Sequence, residues 1–488
     1  MKVLKKLFEP VDLANGTIYK VILWFSIPIL LSYVFQQIYT IADAAICGQF
    51  LNENQVAGVN NTGNLVFIVL QFAFGCTAGF SVITANKVGQ KDIEGVRRSF
   101  ATQIRLSLII SVVLTIIALL CVNLLLAVIG LKSSGNPVQN EIYESAKIYI
   151  TIIFAGTITQ IFYNQVCSLL RSVGDSLTPL VFLIFSTILN IVLDILFIAV
   201  FKMGVAGAAI ATVIAQAISA IGCFAYTFYH YKQFRLTKED FKINVQSDLN
   251  HLKLGLPLAF QFSVLCIGLI VMQAVVIKFD TNSLGQVTSS YAQNGFGAAT
   301  KLNNFLMCPF NALGTAMLSY CGQNFGANKT ERIRKGVFQA FIIVFIEYII
   351  FAGLGLLLTI DGFYLYIFYS ADKVNKETIY YGNMYLYVDL ALYFILGMLF
   401  VLRNSLQGIG KALFPFLAGV GELLGRTIIC LTLPTLINGG AITSGSKSTA
   451  FLGIAFADPL AWTFATSIML YGAIKYIFKI KTTPEGVA

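Results

Sequence analysis

The chain has 488 residues, of which 57% are hydrophobic and only 11% charged, with a mean hydropathy of +0.78 and a net charge of +10. This balance excludes a water-soluble globular chain, and it removes nucleic acid as the reason for the positive charge, because Lys and Arg of a membrane chain collect in cytoplasmic loops. The nine cysteines are scattered, mostly inside apolar runs, with no Cys-x-x-Cys and no paired spacing, so they read as small reduced hydrophobes.

The first long apolar run, Val21 to Ile41, is long enough to span and has no small-residue cleavage site after it, so no cleavable signal peptide is expected. Runs between polar breaks then predict twelve spans, near 17–44, 60–85, 102–130, 145–169, 179–201, 205–229, 252–279, 288–317, 336–360, 380–402, 412–435 and 449–477. A β-barrel is excluded, since its strands would show alternating segments of about 10 residues and these runs are continuous and longer. With this assignment roughly 24 of the 33 basic residues fall on the side shared by the two chain ends, against about 7 on the other, which predicts both ends in the cytoplasm. The polar stretch from His230 to Asn250 divides the chain into residues 1–229, a cytoplasmic linker 230–250, and residues 251–488.

An internal repeat supports this division. GQKDIEGVRRSF from Gly89 aligns with GANKTERIRKGV from Gly326, so that Glu94, Arg97 and Arg98 match Glu331, Arg334 and Lys335. LLRSVGDSLTP from Leu169 parallels SLQGIGKALFP from Ser405, and GVAGAAIA from Gly204 resembles GIAFADPL from Gly453. Each half holds an even number of spans, so the copies are parallel repeats, and a cleft between such halves supports alternating access. The expected fold is all-α, with two pseudo-symmetric six-helix bundles.

Ionisable residues within spans are costly, about 2.5–3.5 kcal/mol at a helix centre, and are functional candidates by default. Asn190 and Asp194 lie four apart on the fifth span, and Tyr39 with Asp43 and Thr212 with Gln216 repeat that spacing on the first and sixth. All three stripes reach the outer half of the membrane, where their oxygens suit a small hard cation or a shared proton. Gln36 shares the face of Asp43, and Gln160 and Asn164 form a further pair on the fourth span, below the aspartates and near a cytoplasmic Arg171. The alternative for each is a hydrogen bond to a neighbouring helix. In the second half, Glu422 and Arg426 read as a self-paired salt bridge, Asp389 and Asp458 as solvated residues near span ends, and Lys301 and Glu347 as helix contacts or pathway lining.

These features together resemble the multidrug and toxin extrusion (MATE) family, and in particular its bacterial DinF-like and MepA-like members. The resemblance rests on IPILLSYVFQQIYTIADAAICGQF in the first span, the LLRSVGD turn, NIVLDILFI running into GVAGAAIATVIAQ, and the GQNFGAN and LQGIGKALFP segments. It implies a V-shaped pair of six-helix bundles that exports organic cations and other amphipathic compounds in exchange for sodium ions or protons, with no cofactor. It also implies a coupling-cation site, occupied by a proton or sodium, at Asp43, Asn190, Asp194 and Thr212, and places Gln36 at a position that lines the drug cavity; the polar stripes add Tyr39, Gln160, Asn164 and Gln216 to the expected substrate cavity. The seventh span, Leu254 to Lys278, lacks the acid that NorM-like members carry, so a second cation site of that kind is not expected. A bacterial-type cytoplasmic membrane and a monomeric state are expected. The rival reading is a lipid-linked saccharide flippase of the same superfamily, against which the acidic set in the first half argues. A membrane enzyme finds no support, since the only histidines, His230 and His251, flank the linker and no HExxH, Walker A or Gly-x-Ser-x-Gly motif occurs. A channel fits two symmetric halves less well than an alternating carrier does.

Overall fold

The computed structural model describes residues 9–370 and 374–479, so the cytoplasmic assignment of the chain ends falls largely on residues outside this range. Among the described residues no β-strand forms, beyond an isolated bridge between Thr281 and Val287. The main helices are α1 (Ile18–Phe50), α2 (Glu53–Gly89), α3 (Ile93–Val128), α4 (Pro137–Ala155), α5 (Thr157–Ser172), α6 (Leu177–Asp194) and α7 (Gly204–His230). They continue with α8 (Val245–Lys278), α9 (Tyr291–Leu306), α10 (Cys308–Gly326), α11 (Thr330–Thr359), α12 (Lys376–Ala391), α13 (Tyr393–Gly408), α14 (Leu413–Asn438) and α15 (Ala457–Ala473). Among the described residues nine stretches are long and apolar enough to cross a membrane unaided, and two bent pairs, α4–α5 and α12–α13, raise that to eleven. The pair α9–α10 occupies the place of the remaining expected span, 288–317.

Local chemistry sets the helix ends. Asn52 and Gln55 form a capping box at the start of α2, Asp92 accepts from the Gly95 amide at 2.8 Å at the start of α3, and Asn136 caps α4 ahead of Pro137. Caps of this kind are each worth about 1 kcal/mol. Several helices run past the apolar stretch that announced them: α3 begins at Ile93 and α10 ends at Gly326. Hydropathy reports where water ends, and a capped helix continues beyond that point.

Three spans are broken where continuous helices were expected. At Gly156 a Cβ would lie 2.3 Å from Val213 Cγ2, so α7 passes where only glycine fits, and the pair bends by 47°. At Met307 the following Pro309 removes an amide from the hydrogen-bond ladder. At Leu392 the pair bends by 55° without glycine or proline at the break, and the amides of Leu392 and Ile395 make tightened bonds to Asp389 and Leu392.

The chain forms two compact units. The first runs to Ser263 and takes in Ser319–Lys329 and Gln407–Ala412; the second holds Val264–Leu318, Thr330–Leu406 and the chain from Leu413 onward. Within the first unit α2 packs on α3, α4 and α5, and α6 lies between α1 and α7; within the second, α14 packs on α15, and α12 on α9 and α11. The repeated segments take matching local forms. Lys91 and Asn328, at equivalent positions, both turn at a φ of 58°, and the ion pairs Glu94–Arg98 (2.5 Å) and Glu331–Lys335 (2.7 Å) coincide in the alignment.

The stretch 230–250 is folded against the first unit. Tyr231 donates to Asp175 at 2.7 Å, Phe234 is fully buried, and Arg97 Nε donates to Asp240 at 2.8 Å. Burial pushes the Asp240 carboxyl up, but the bonds from Arg97 and Thr237 outweigh it and hold the group below its ordinary value. Arg105 pairs with Asp248, and His251, buried at the start of α8, bonds Ser99 at 2.9 Å.

Candidate functional site

The three polar stripes converge inside the first unit. α6 carries Asn190 and Asp194 on one buried face, 1% and 0% exposed, and the helix then loosens into a π-turn over Ile195–Val200. Such turns widen a helix and free backbone groups, and they recur at functional sites. On α1, Asp43 brings its carboxyl within hydrogen-bonding reach of Asp194. Both are acceptors when ionised, so they can bond each other only through a shared proton. On α7, Thr212 Oγ1 accepts from Asn190 Nδ2 at 3.4 Å and also lies against the hydroxyl of Tyr39.

The oxygens of this cluster lack donors. Among the described residues, Asp43 Oδ1, both carboxylate oxygens of Asp194 and Asn190 Oδ1 are buried with no hydrogen-bond partner, and no Lys, Arg or His pairs with either acid. An unsatisfied buried polar atom costs about 1–3 kcal/mol, more when charged, and four of them lie together here. Hard oxygens of this kind suit a proton or a small hard cation.

A cavity of about 110 Å³ extends from this cluster. Gln36, Tyr39, Gln160, Asn164 and Gln216, the residues expected to face substrate, all line it, with Asn190 and Thr212 at the acid end. Asp43 and Asp194 do not line it; Tyr39, Asn190 and Thr212 stand between them and the open volume. Tyr149 of α4 also belongs to the cluster, close to both acids and to Tyr39, and no spacing argument had singled it out. Its helix carries no polar stripe, and only the packing of α4 on α2 and α7 brings it there.

The second unit corrects two expectations. Asp389 and Asp458 are not solvated: they are 0% and 3% exposed. Asp458 accepts from Arg426 Nε at 2.6 Å and from the Tyr385 hydroxyl at 2.8 Å, and Asp389 accepts from Asn303 Nδ2 at 2.8 Å. The break at Leu392 and the position of Arg426 enclose what nearness to a span end had suggested was wet. The Glu422–Arg426 pair is present at 3.3 Å but belongs to a larger network, since Arg403 also binds Glu422 at 2.7 Å. Lys301 is exposed, with Nζ 5.2 Å from the centre of the Phe368 ring. Glu347 is half-buried on α11, and its Oε2 has no donor.

Comparison with known proteins agrees with this architecture. The MatE family model matches residues 28–196 and again residues 257–431, once in each half. The chain is 30% identical over 326 residues to the probable multidrug resistance protein YpnP of Bacillus subtilis (strain 168), covering 66% of this chain and 68% of that one. It is 25% identical over 465 residues to the probable multidrug resistance protein YoeA of the same organism, covering 94% and 93%. A solved structure described as the outward-facing conformation of a multidrug resistance MATE family transporter of the MOP superfamily shares the fold, with a TM-score of 0.80 at 21% identity over 96% of this chain and 98% of that one. With the fold and both halves of the sequence matched, this multi-pass membrane chain belongs to the MatE family, whose members are transporters and not enzymes.

Proposed function

We propose that the chain exports small amphipathic molecules, often cationic, in exchange for a proton or sodium ion that binds at Asp43, Asn190, Asp194 and Thr212. The observation that carries this reading is the contact between two carboxyl groups with no protein cation and with four donor-less oxygens around them. Two like charges at that separation in a low-dielectric interior require a positive charge between them, and the chain leaves that place to a mobile one. Cation entry then changes how α1, α6 and α7 hold Tyr39, Asn190 and Thr212, the residues through which the acids adjoin the cavity. Cargo and cation thus compete through one wall, which is what exchange needs. Residues 1–229 and 251–488 serve as the two moving halves, joined by 230–250, and alternating access follows from their parallel repeat. The chain works as a monomer in a bacterial-type cytoplasmic membrane, with both ends in the cytoplasm.

Everted vesicles loaded with a fluorescent amphipathic cation, with sodium and pH gradients imposed separately, test the reading. Dye movement driven by one gradient and lost in Asp194→Asn is the expected result. Movement that follows neither gradient rejects cation exchange.

A further inference from the structure

Arg171, on the last turn of α5, lines the same cavity as Tyr39, Asn190 and Thr212. Its Nε is buried without an acceptor. The neighbouring acid of the same turn does not compensate it: Asp175 takes its bonds from the Tyr231 hydroxyl at 2.7 Å and the Thr178 amide at 2.9 Å. Among the described residues no carboxylate forms an ion pair with Arg171, and Tyr163 and Cys167 of its own helix line the same cavity.

Asp43 and Asp194 do not line this cavity, and neither forms an ion pair with Arg171. Pro179, whose carbonyl accepts from Tyr163 at 3.4 Å, and Asn190 both line the cavity from α6, eleven residues apart, which is roughly 16 Å of helical rise. The cavity therefore holds an unpaired guanidinium near one end and uncompensated carboxyls beyond the other. A guanidinium has five donors in a planar fork that matches a carboxylate or phosphate in bidentate fashion, and leaving it unpaired inside a bundle is costly. The volume of about 110 Å³ is below the ~300 Å³ of drug-sized pockets but holds one anionic group with a little water.

We propose that Arg171 is an anion subsite of the first unit's cavity, and that it admits cargo bearing a carboxylate or phosphate group, zwitterions included. This rests on the exchange reading only in taking the cavity to be the cargo site. Oxygen acceptors from the cargo's anionic group complete the guanidinium, and the rest of the cargo stays outside this volume.

The test uses the full chain in nanodiscs and two probes, a xanthene dye with a free carboxylate and the methyl ester of the same dye. Fluorescence anisotropy should show the carboxylate dye binding about tenfold more weakly to Arg171→Gln, as expected for one charge-assisted bond, with the ester unchanged and Arg171→Lys in between. Unchanged ester binding also shows that the variant is folded. Sodium formate separates two sources of the anion: competition with the carboxylate dye in wild type but not in Arg171→Gln assigns the subsite to free anions as well. Failure to compete, alongside the same loss in Arg171→Gln, assigns it to the cargo's own carboxylate. Equal weakening of both dyes, no weakening of either, or no binding of the carboxylate dye to wild type overturns the subsite. Cation coupling is read separately, from gradient-driven movement of the ester, so its failure leaves the Arg171 result standing.

Discussion

In the first unit Asp43 and Asp194 touch and, among the described residues, no basic side chain pairs with either, whereas in the second Glu422 and Asp458 are held by Arg403 and Arg426. Both sets are within membrane helices, and both carry the same chemical group. The difference is who supplies the positive charge. In the second unit the chain supplies it, so the acids are spent on internal bonds; a buried pair of this kind holds a packing arrangement in place and is expensive to break. In the first unit the chain does not supply it, and on the function proposed above the charge is a mobile one. Burial of an acid alone therefore does not distinguish the two sets; the presence of a resident arginine does.

That contrast can be broken most directly at Asp194 and Asp43. Replacement of either by Asn should reduce gradient-driven efflux from everted vesicles to that of vesicles lacking the protein, with the thermal unfolding midpoint in detergent unchanged or raised. Normal efflux in both variants would erase the distinction. Arg426→Met should do the opposite, costing about 3–5 kcal/mol of stability because Asp458 and Glu422 are left without their cation. It would be read as a lower unfolding midpoint and a larger aggregated fraction. Adding Asp458→Asn to Arg426→Met should recover part of that loss, since contacting residues are not additive. Glu422→Gln removes one acceptor shared by two arginines and should cost about 1–3 kcal/mol while cation-driven efflux persists. Complete loss of transport in a folded Glu422→Gln protein would move the active half to the second unit.

The smallest effect is expected outside the membrane, at Asp240. Its carboxyl is held below the ordinary value, so its contribution is fully present above the unfolded carboxylate range and is lost as pH falls through the lowered value. Docking of residues 232–241 should thus be constant near neutral pH and loosen in acid, and Asp240→Asn should remove that dependence. Amide hydrogen exchange across this stretch distinguishes the two outcomes.

Much of the site was legible before any coordinates. The spacing of four between Tyr39 and Asp43, Asn190 and Asp194, and Thr212 and Gln216 follows from helical geometry alone, and the spans that carry them are announced by hydropathy. Asp458 differs for a physical reason: nearness along the chain to a polar loop is not depth in water, and Arg426 encloses Asp458.

The amino-acid order by itself determined the membrane class, the repeat, the spans and the facing of each polar stripe, because all of these depend on interactions between residues a few positions apart or on transfer of a segment from water. Tertiary structure alone decided which acids meet an arginine and which do not, where α4 contributes Tyr149, and where the helix breaks at Leu392. Those outcomes depend on which helix faces pack together, and a charge is compensated by what lies across a helix contact rather than by what precedes it in the chain.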